Sequence, residues 1–209
     1  VTLTLCVLAL WITWAWGRSA WLLWLGAGML VGGYALVLAV EFVLVATVNR
    51  KDPVPRATST DLVRAWWAEV GMAPRVFSWR QPFRWRAWPD DVEPRATTYP
   101  AVVFVHGFVC NRGFWLPWMR EMRARGIPYA SVNLEPVFAS IDDYVAVVDE
   151  AVRRAQALTG GPPLLVCHSM GGLAARAWRA AIPNADQRVR HIVTIGSPHQ
   201  GTWLGRFSH

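Results

Sequence analysis

Residues 1–48 are almost entirely apolar, and their few polar residues divide them into two runs. Residues 1–16 and 20–40 carry no charged side chain, and a Gly-Arg-Ser sequence at 17–19 separates them. A helix that crosses a membrane needs about 20 mainly apolar residues, and the second run has that length. The pattern therefore predicts a hairpin of two membrane-spanning helices, at about residues 1–16 and 20–45.

A cleaved signal peptide is the alternative for this region. Its apolar core would extend over only about 7–15 residues, so two long runs in succession favour a stable anchor in a lipid bilayer. Tryptophans lie on both sides of the turn, where an aromatic belt would meet the membrane surface. They are Trp11, Trp14, Trp16, Trp21 and Trp24.

Basic residues near the ends of the spans predict the orientation of the chain, because they are more common on the cytoplasmic side of a membrane. Arg50, Lys51 and Arg56 follow the second run, whereas Arg18 is the single basic residue of the turn. We therefore expect residues from 49 onward to lie on the cytoplasmic side.

Residues 49–73 are predicted to form a linker with one short helix. Residues 49–60 are polar and contain two prolines. Ser59 or Thr60 would cap a helix that continues to about Val70.

Two short segments, 75–79 and 83–88, alternate apolar and polar residues on either side of Gln81 and Pro82. This period of two predicts a β-hairpin with its arginines on the wet face. Interleaved Trp and Arg would also suit a nucleic-acid surface. The net charge is +7, but the chain has no run of basic residues and no nucleic-acid-reading motif, so we expect no nucleic-acid partner.

From residue 100 onward, short apolar runs alternate with helical patterns, which is typical of a parallel sheet with helices on both faces. The expected fold class is therefore α/β, in a domain that covers residues 74–209. The predicted strands are 101–105, 129–134, 163–167 and 189–196, and the predicted helices are about 114–125, 140–158 and 170–181.

The end of the third predicted strand carries the clearest chemical motif. Cys167, Ser169 and Gly171 occupy the fixed positions of the Gly-x-Ser-x-Gly nucleophile elbow, with Cys in place of the first Gly. In that motif a strained strand-to-helix turn holds the serine hydroxyl above the sheet, and small neighbours avoid a clash. Ser169 is therefore the candidate nucleophile, and the following helix points its N-terminal amides at a developing negative charge.

A second motif, His106-Gly107-Phe108, follows the first buried strand. Gly107 would let the backbone turn back over the sheet, so that the amide of Phe108 faces the serine. With the amide of Met170 it would form an oxyanion hole, in which each donor typically contributes a factor of about 10²–10³ to turnover.

Together with the segment 194–202 (TIGSPHQGT), these motifs occur in an order and spacing that resembles the lipase and esterase branch of the α/β-hydrolase superfamily. The resemblance covers about residues 75–209. It implies an α/β-hydrolase fold in which Ser169 is the nucleophile and Phe108 and Met170 are the oxyanion donors. It also implies supporting positions around the site for His106, Gly107, His168, Gly171 and His199.

By the same resemblance, the protein would cleave a lipid or a small carboxylic ester through an acyl-enzyme. It is similar to some membrane-associated bacterial hydrolases, so we expect it in the inner (cell) membrane of a bacterium, without an obligate protein partner. No metal-binding cluster, phosphate loop or dinucleotide motif occurs in the sequence, so we expect no cofactor and no metal.

Two other functions remain as alternatives. One is a membrane protein that uses the hydrolase fold for binding or for acyl transfer without hydrolysis. The other, a component of a transporter, would rest on the two predicted spans alone.

The catalytic acid and base are harder to place. In this fold they follow the nucleophile in the order acid, then histidine. Asp186 lies just before the fourth predicted strand and His191 at its beginning, at the end of the sheet away from the nucleophile. His199 belongs to a segment that the family uses structurally, and His209 has no acid before it. We therefore expect a truncated chain whose acid and histidine lie beyond residue 209, and which is inactive or nearly so.

The cysteines have simpler interpretations. Cys167 is a weaker candidate nucleophile than Ser169, because its side chain should point beneath the turn. A Cys110–Cys167 disulfide is conceivable between neighbouring strands, but a cytoplasmic domain favours reduced thiols.

Overall fold

The structure is a computed structural model that describes residues 2–51 and 55–201 of the 209-residue chain. Its contacts divide the chain into two compact units, Val1–Ser78 and Trp79–His209. His209 and the last residue of the segment 194–202 lie outside the described residues.

In the first unit, the residues that the structure describes form three α-helices: α1 (Thr2–Ala15), α2 (Ala20–Val48) and α3 (Ser59–Arg75). A 3-10 turn, Asn49–Lys51, follows α2 directly.

Trp11 of α1 packs closely against α2. The indole nitrogen of Trp11 donates a hydrogen bond of 3.0 Å to the carbonyl oxygen of Leu22. The ring of Trp11 also fills the space beside Gly26 that a side chain at that position would need. Glycine at position 26 therefore allows the two helices to approach closely.

α2 is the one described helix that is long and apolar enough to cross a membrane, judged by length and composition. Its 29 residues extend over about 43 Å at a rise of 1.5 Å per residue, whereas α1 has 14 residues. A signal sequence near an N-terminus would meet the same criterion. The predicted pair of membrane spans therefore corresponds to one helix of spanning length and one shorter apolar helix.

α3 begins earlier and ends later than predicted. Thr58, and not Ser59 or Thr60, is the N-cap: its hydroxyl accepts a hydrogen bond of 3.2 Å from the amide of Asp61. In return, the Asp61 carboxylate accepts one of 3.1 Å from the amide of Thr58. This reciprocal capping box satisfies amides that the first turn of a helix leaves free.

The β-hairpin predicted around Gln81 and Pro82 is wrong. Val76–Arg80 is a π-helical turn, and Gln81–Phe83 is a single helical turn. Pro82 lacks the amide that a strand ladder would need, and it suits the first turn of a helix. The buried Gln81 side chain also accepts a 2.7 Å hydrogen bond from the amide of Asn111. This contact between distant segments holds the turn, and the alternating pattern does not reveal it.

The described residues of the second unit form four parallel strands in the order β2-β1-β3-β4. This arrangement confirms the predicted α/β class with a parallel sheet. The strands are β1 (Val102–Val105), β2 (Tyr129–Ser131), β3 (Leu164–His168) and β4 (His191–Ile195).

Helices cover both faces of this sheet. Successive side chains of a strand point to opposite faces, so one strand contributes to the core on each side. Val103 and Val105 of β1 belong to a buried cluster with residues of the second and third helices of this unit. Phe104 belongs to a second cluster, with residues of the first helix. The helices are α4 (Leu116–Ala124), α5 (Val145–Thr159), α6 (Met170–Ala181) and the short α7 (Ala185–Arg188).

The outer edge of β2 is closed by two aspartates of the loop that precedes the sheet. The amide of Tyr129 donates to the Asp91 carboxylate (3.1 Å), and the amide of Ser131 donates to the Asp90 carboxylate (3.0 Å). The carboxylate oxygens thus accept the hydrogen bonds that the carbonyl oxygens of a further strand would otherwise accept. An edge strand that is covered in this way cannot pair with another chain.

Candidate active site

Ser169 lies in the sharp turn between β3 and α6, and its backbone is strained. Its φ is +52° and its ψ is −123°, a combination that costs a non-glycine residue about 1–3 kcal/mol. The amide of Ser169 donates to the carbonyl oxygen of Ile195 (2.8 Å), at the end of β4. The amide of Gly172 donates to the carbonyl oxygen of Ser169 (3.0 Å). The neighbouring strand and the new helix therefore hold the turn in place.

The two glycines after Ser169 are required by close packing. A Cβ atom on Gly171 would lie 2.6 Å from the carbonyl oxygens of both Val105 and His106. A Cβ atom on Gly172 would collide with the side chain of Ser197. The start of α6 therefore lies directly against the end of β1 and the segment that follows β4.

The cysteine that replaces the first glycine of the motif lies beneath the turn. Cys167 is fully buried in the core, and burial raises the pKa of its thiol to about 12. Such a thiol is neither accessible nor ionised at neutral pH, which excludes it as a nucleophile. Cys6, Cys110 and Cys167 are all free thiols, so the conceivable Cys110–Cys167 disulfide is absent from the described structure.

The loop after β1 passes directly beside the serine. A Cβ atom on Gly107 would lie 3.0 Å from the Cβ of Ser169 and 3.2 Å from Nδ1 of His168. Glycine at position 107 therefore allows the loop to lie close to Ser169. The loop then turns at Phe108 and Val109, the latter with a φ of +53°, and the amide of Cys110 donates back to Gly107 (3.3 Å).

His106 is a buried support for this loop. Its Nε2 accepts a hydrogen bond of 3.1 Å from the amide of Leu134. The proton of the neutral ring therefore lies on Nδ1, which donates to the carbonyl oxygen of Gly107 (2.9 Å). Burial lowers the pKa of His106 to about 4. A neutral imidazole with both nitrogens engaged cannot act as the general base.

His168 is also partly buried and packs against an aromatic ring. Its ring stacks on Phe114, with centroids 4.4 Å apart and planes 23° apart, and burial lowers its pKa. Its Nδ1 is buried and has no hydrogen-bond partner among the described residues. Phe114 was not singled out by the sequence patterns, because a stacking contact between distant loops leaves no local signal.

The described acid and histidines that follow Ser169 form no hydrogen bond with it. Asp186 forms an ion pair with Arg179, with a shortest distance of 2.5 Å. His191 pairs in register with the first residue of β3, about 13 Å of strand away from the turn at its other end. His199 lies after β4, and its Nε2 is 3.2 Å from the hydroxyl of Thr194.

An exposed apolar surface borders the loop beside the serine. Phe108 packs edge-on against Phe138, with ring centroids 5.6 Å apart. Phe138 is 86% exposed, and Val109 is also exposed. Phe138 follows β2, so the topology brings it to the end of the sheet where Ser169 lies, which its position in the sequence alone does not indicate.

The described residues include no group of three or more His, Cys, Asp or Glu side chains that could hold a metal ion. The turn at Ser169 lies at the start of a helix and beside Gly107, and burial lowers the pKa of both neighbouring histidines, His106 and His168. This arrangement fits nucleophilic attack with stabilisation of an oxyanion.

The sequence model of the alpha/beta hydrolase family matches residues 102–208 of the chain. Among solved structures, the mature form of the Bacillus licheniformis lipase BlEst2 is 26% identical, with a TM-score of 0.48. The match covers 56% of this chain and 49% of the lipase. For the propeptide form of the same lipase, the values are 25% identity, a TM-score of 0.48, and coverage of 57% and 27%. The chain thus spans about half the length of the mature lipase. A comparison with curated proteins finds no match.

Proposed function

Because the chain belongs to the α/β hydrolase family, we propose that it is a serine hydrolase that cleaves carboxylic esters through an acyl-enzyme on Ser169. The observation that carries this proposal is the backbone conformation of Ser169, with φ at +52°. Backbone strain of this kind lowers the stability of the fold and is typical of functional sites. A nucleophile needs such a turn, because its side chain must project from the sheet to reach a substrate.

The proposed reaction uses the two loops that meet at Ser169. Its hydroxyl oxygen attacks the ester carbonyl, and the carbonyl oxygen becomes negatively charged. The amides of Phe108 and Met170 would donate hydrogen bonds to that oxygen. The amide of Met170 is the first of α6, where no carbonyl of the same helix can accept it. The alcohol then leaves, and water hydrolyses the acyl-enzyme.

The reaction also needs a base to take the serine proton and an acid to orient that base. None of the described histidines contacts Ser169 through a hydrogen bond, and His106 and His168 are disfavoured by burial. We propose that the base and acid are residues other than His106, His168, Asp186 and His191. The loop amides and the nucleophile then form only part of the catalytic machinery.

A fluorophosphonate reagent tests the assignment of the nucleophile. The phosphorus forms a bond to the serine oxygen, fluoride leaves, and the serine proton is released. We expect a slow adduct on the peptide that contains Ser169, detected by mass spectrometry, and its loss in Ser169→Ala. Ser197→Ala is the matched control, since it removes a hydroxyl near α6 that is not proposed to react. An adduct that persists in Ser169→Ala would reject the proposal.

A non-hydrolytic or acyl-transfer function is the second candidate. The absence of a histidine hydrogen bond to Ser169 among the described residues favours a binding function, because acyl transfer through Ser169 would need the same base as hydrolysis. A protein of this kind would bind a long-chain ester without releasing its alcohol to water. Release of alcohol only in the presence of a second alcohol as acyl acceptor would favour it over hydrolysis.

We also propose that α2 anchors the protein in the inner membrane of a bacterium, with the second unit on the cytoplasmic side. The length and apolar composition of α2 support a location in a membrane, and the basic residues Arg50, Lys51 and Arg56 after it support the cytoplasmic side. The substrate would then be a lipid of that membrane or a small ester, and the exposed surface of Phe108, Val109 and Phe138 suits an apolar acyl group.

A further inference from the structure

A pair of exposed phenylalanine rings begins beside the candidate nucleophile. A Cβ atom on Gly107 would lie 3.0 Å from the Cβ of Ser169, so Phe108, the next residue, starts close to the serine. The ring of Phe108 is 41% exposed and packs edge-on against the ring of Phe138, with centroids 5.6 Å apart. These two rings form one apolar surface, the phenylalanine surface, which leads away from Ser169.

Hydrogen bonds to buried residues hold the segment that carries Phe138. The amide of Leu134 donates to Nε2 of His106 (3.1 Å) at one end of the segment. At the other end, the hydroxyl of Tyr144 donates to the carbonyl oxygen of Pro136 (2.7 Å). Both His106 and Tyr144 are buried. The segment is therefore fixed to the core while the ring of Phe138 stays exposed.

The order of the strands gives the phenylalanine surface a direction. Ser169 follows β3, Phe108 follows β1 and Phe138 follows β2, and these parallel strands are neighbours in the order β3-β1-β2. The surface thus extends from the serine toward β2. On the other side, the segment after β4 is polar, and the guanidinium of Arg176 donates to the carbonyl oxygen of His199 (3.0 Å). The loops on the two sides of Ser169 therefore differ in polarity.

The charged residues of the segment that carries Phe138 are all acidic. Glu135, Asp142 and Asp143 are exposed, and residues 126–152 contain no Lys or Arg. Asp143 caps the helical turn that follows. Glu135 and Asp142 form no ion pair among the described residues. Unpaired acids repel a second negative charge within a screening length of about 10 Å at 0.1 M salt.

The two parts of an ester have different needs in the proposed reaction. The acyl group stays on the serine until water releases it, whereas the alcohol leaves and water enters. A fixed apolar surface suits the group that stays, because the contact removes apolar area from water during both steps. The polar segment after β4 suits the alcohol and the water.

We propose that the phenylalanine surface binds the acyl chain of the substrate, and that Phe138 sets the preference for a long, uncharged chain. Glu135 and Asp142 act against acyl chains that end in a carboxylate. The inference rests on the proposed ester chemistry at Ser169 and not on the membrane anchor. It narrows the substrate to esters of apolar carboxylic acids.

Three alkyl fluorophosphonates test this assignment, because the alkyl group on phosphorus takes the place of the acyl chain. The groups are methyl, octyl, and octyl that ends in a carboxylate. The rate of adduct formation on Ser169 is measured by mass spectrometry in the full chain and in Phe138→Ala. Tyr99→Ala is the matched control, since Tyr99 is an exposed aromatic residue that precedes β1, at the opposite end of the sheet. All variants are measured in the same detergent, so that partitioning of the probes affects them equally.

We expect the octyl probe to react faster than the methyl probe. The ratio of the two rates should fall about tenfold in Phe138→Ala, since partial burial of one aromatic side chain contributes about that factor. Tyr99→Ala should keep the ratio of the wild type. The probe that ends in a carboxylate should react more slowly than the neutral octyl probe, and high salt should narrow this difference.

Each contrary result has a separate meaning. An unchanged ratio in Phe138→Ala would overturn the acyl contact with Phe138. Equal rates for the two octyl probes would overturn the preference for an uncharged chain. Failure of all three probes to modify Ser169 would instead refute the proposed nucleophile, and with it the proposed function.

Discussion

At the scale of single residues, the candidate site depends on its glycines as much as on its residues with side chains. Gly107 and Gly171 allow two loops and a helix to meet at Ser169, since a Cβ atom on either would press on neighbouring atoms. The protein thereby holds Ser169 in a conformation that its own backbone preferences oppose. Packing around the turn must supply the free energy for that strain.

Gly171→Ala tests this requirement. The added methyl would lie 2.6 Å from two backbone carbonyl oxygens, and overpacking of this kind costs about 1–3 kcal/mol. We expect a loss of that size in the free energy of unfolding, measured with urea. Gly161→Ala is the control, because a Cβ atom there would meet nothing within 4 Å. Equal stabilities of the two variants would contradict the packing argument.

His106 makes the stability of the fold depend on pH. Its pKa is lowered from 6.5 to about 4 on folding, so between these values the unfolded chain binds a proton that the folded chain does not. The free energy of unfolding must therefore fall as the pH is lowered from 6.5 to 4. A shift of this size corresponds to about 3 kcal/mol.

The measurement is urea unfolding across that pH window in the wild type and in His106→Asn. We expect the variant to lose most of the dependence on pH, as well as stability at neutral pH. His191→Asn, which changes an exposed histidine, should keep the dependence of the wild type. An unchanged slope in His106→Asn would refute the assignment of a neutral, buried His106.

At the scale of elements, the closure of β2 is the least obvious feature of the fold. The Asp90 carboxylate accepts hydrogen bonds from the amide and hydroxyl of Ser131 and forms ion pairs with Arg112 (2.6 Å) and Arg154 (2.8 Å). The side chains of Asp90 and Arg112 are only 11% and 15% exposed. This cluster replaces strand pairing at the sheet edge.

Asp90→Ala should therefore be strongly destabilising. It leaves the guanidinium of Arg112 largely buried without its partner, and breaking a buried pair in this way costs about 3–5 kcal/mol. Glu121→Ala removes an ion pair with Arg125 that is exposed on both sides, and such pairs contribute about 0–1 kcal/mol. Thermal unfolding of the two variants compares them. Similar losses in both would show that the edge cluster contributes little.

The elements themselves were predictable where a local pattern controls them. The four strands and the helices α4, α5 and α6 were confirmed close to their expected positions, because continuous apolar runs mark the buried strands and a helical period marks the amphipathic helices. The turn at Gln81 and Pro82 was not predicted. Its alternating residues satisfy the pattern of a hairpin, but the contact with Asn111 decides its shape.

At the scale of the whole molecule, the proposed nucleophile and oxyanion donors lie together, but no described histidine is hydrogen-bonded to Ser169. We expect the 209-residue chain to hydrolyse p-nitrophenyl esters only slowly, because binding and oxyanion stabilisation alone leave a small residual rate. Ser169→Ala should lower even that rate. Full turnover by this chain would mean that one of its own histidines, with His199 the first to examine, reaches the serine.

The sequence by itself determined the order of the elements, the apolar character of α2 and the positions of the two motifs. Neighbours along the chain decide those features through periodicity and the geometry of glycine and serine. Only the tertiary structure decided the φ of Ser169, the proton position of His106, the burial of Cys167 and the closure of β2 by Asp90 and Asp91. Each of these depends on hydrogen bonds or close contacts between segments that are far apart in the chain, and such contacts leave no local pattern to read.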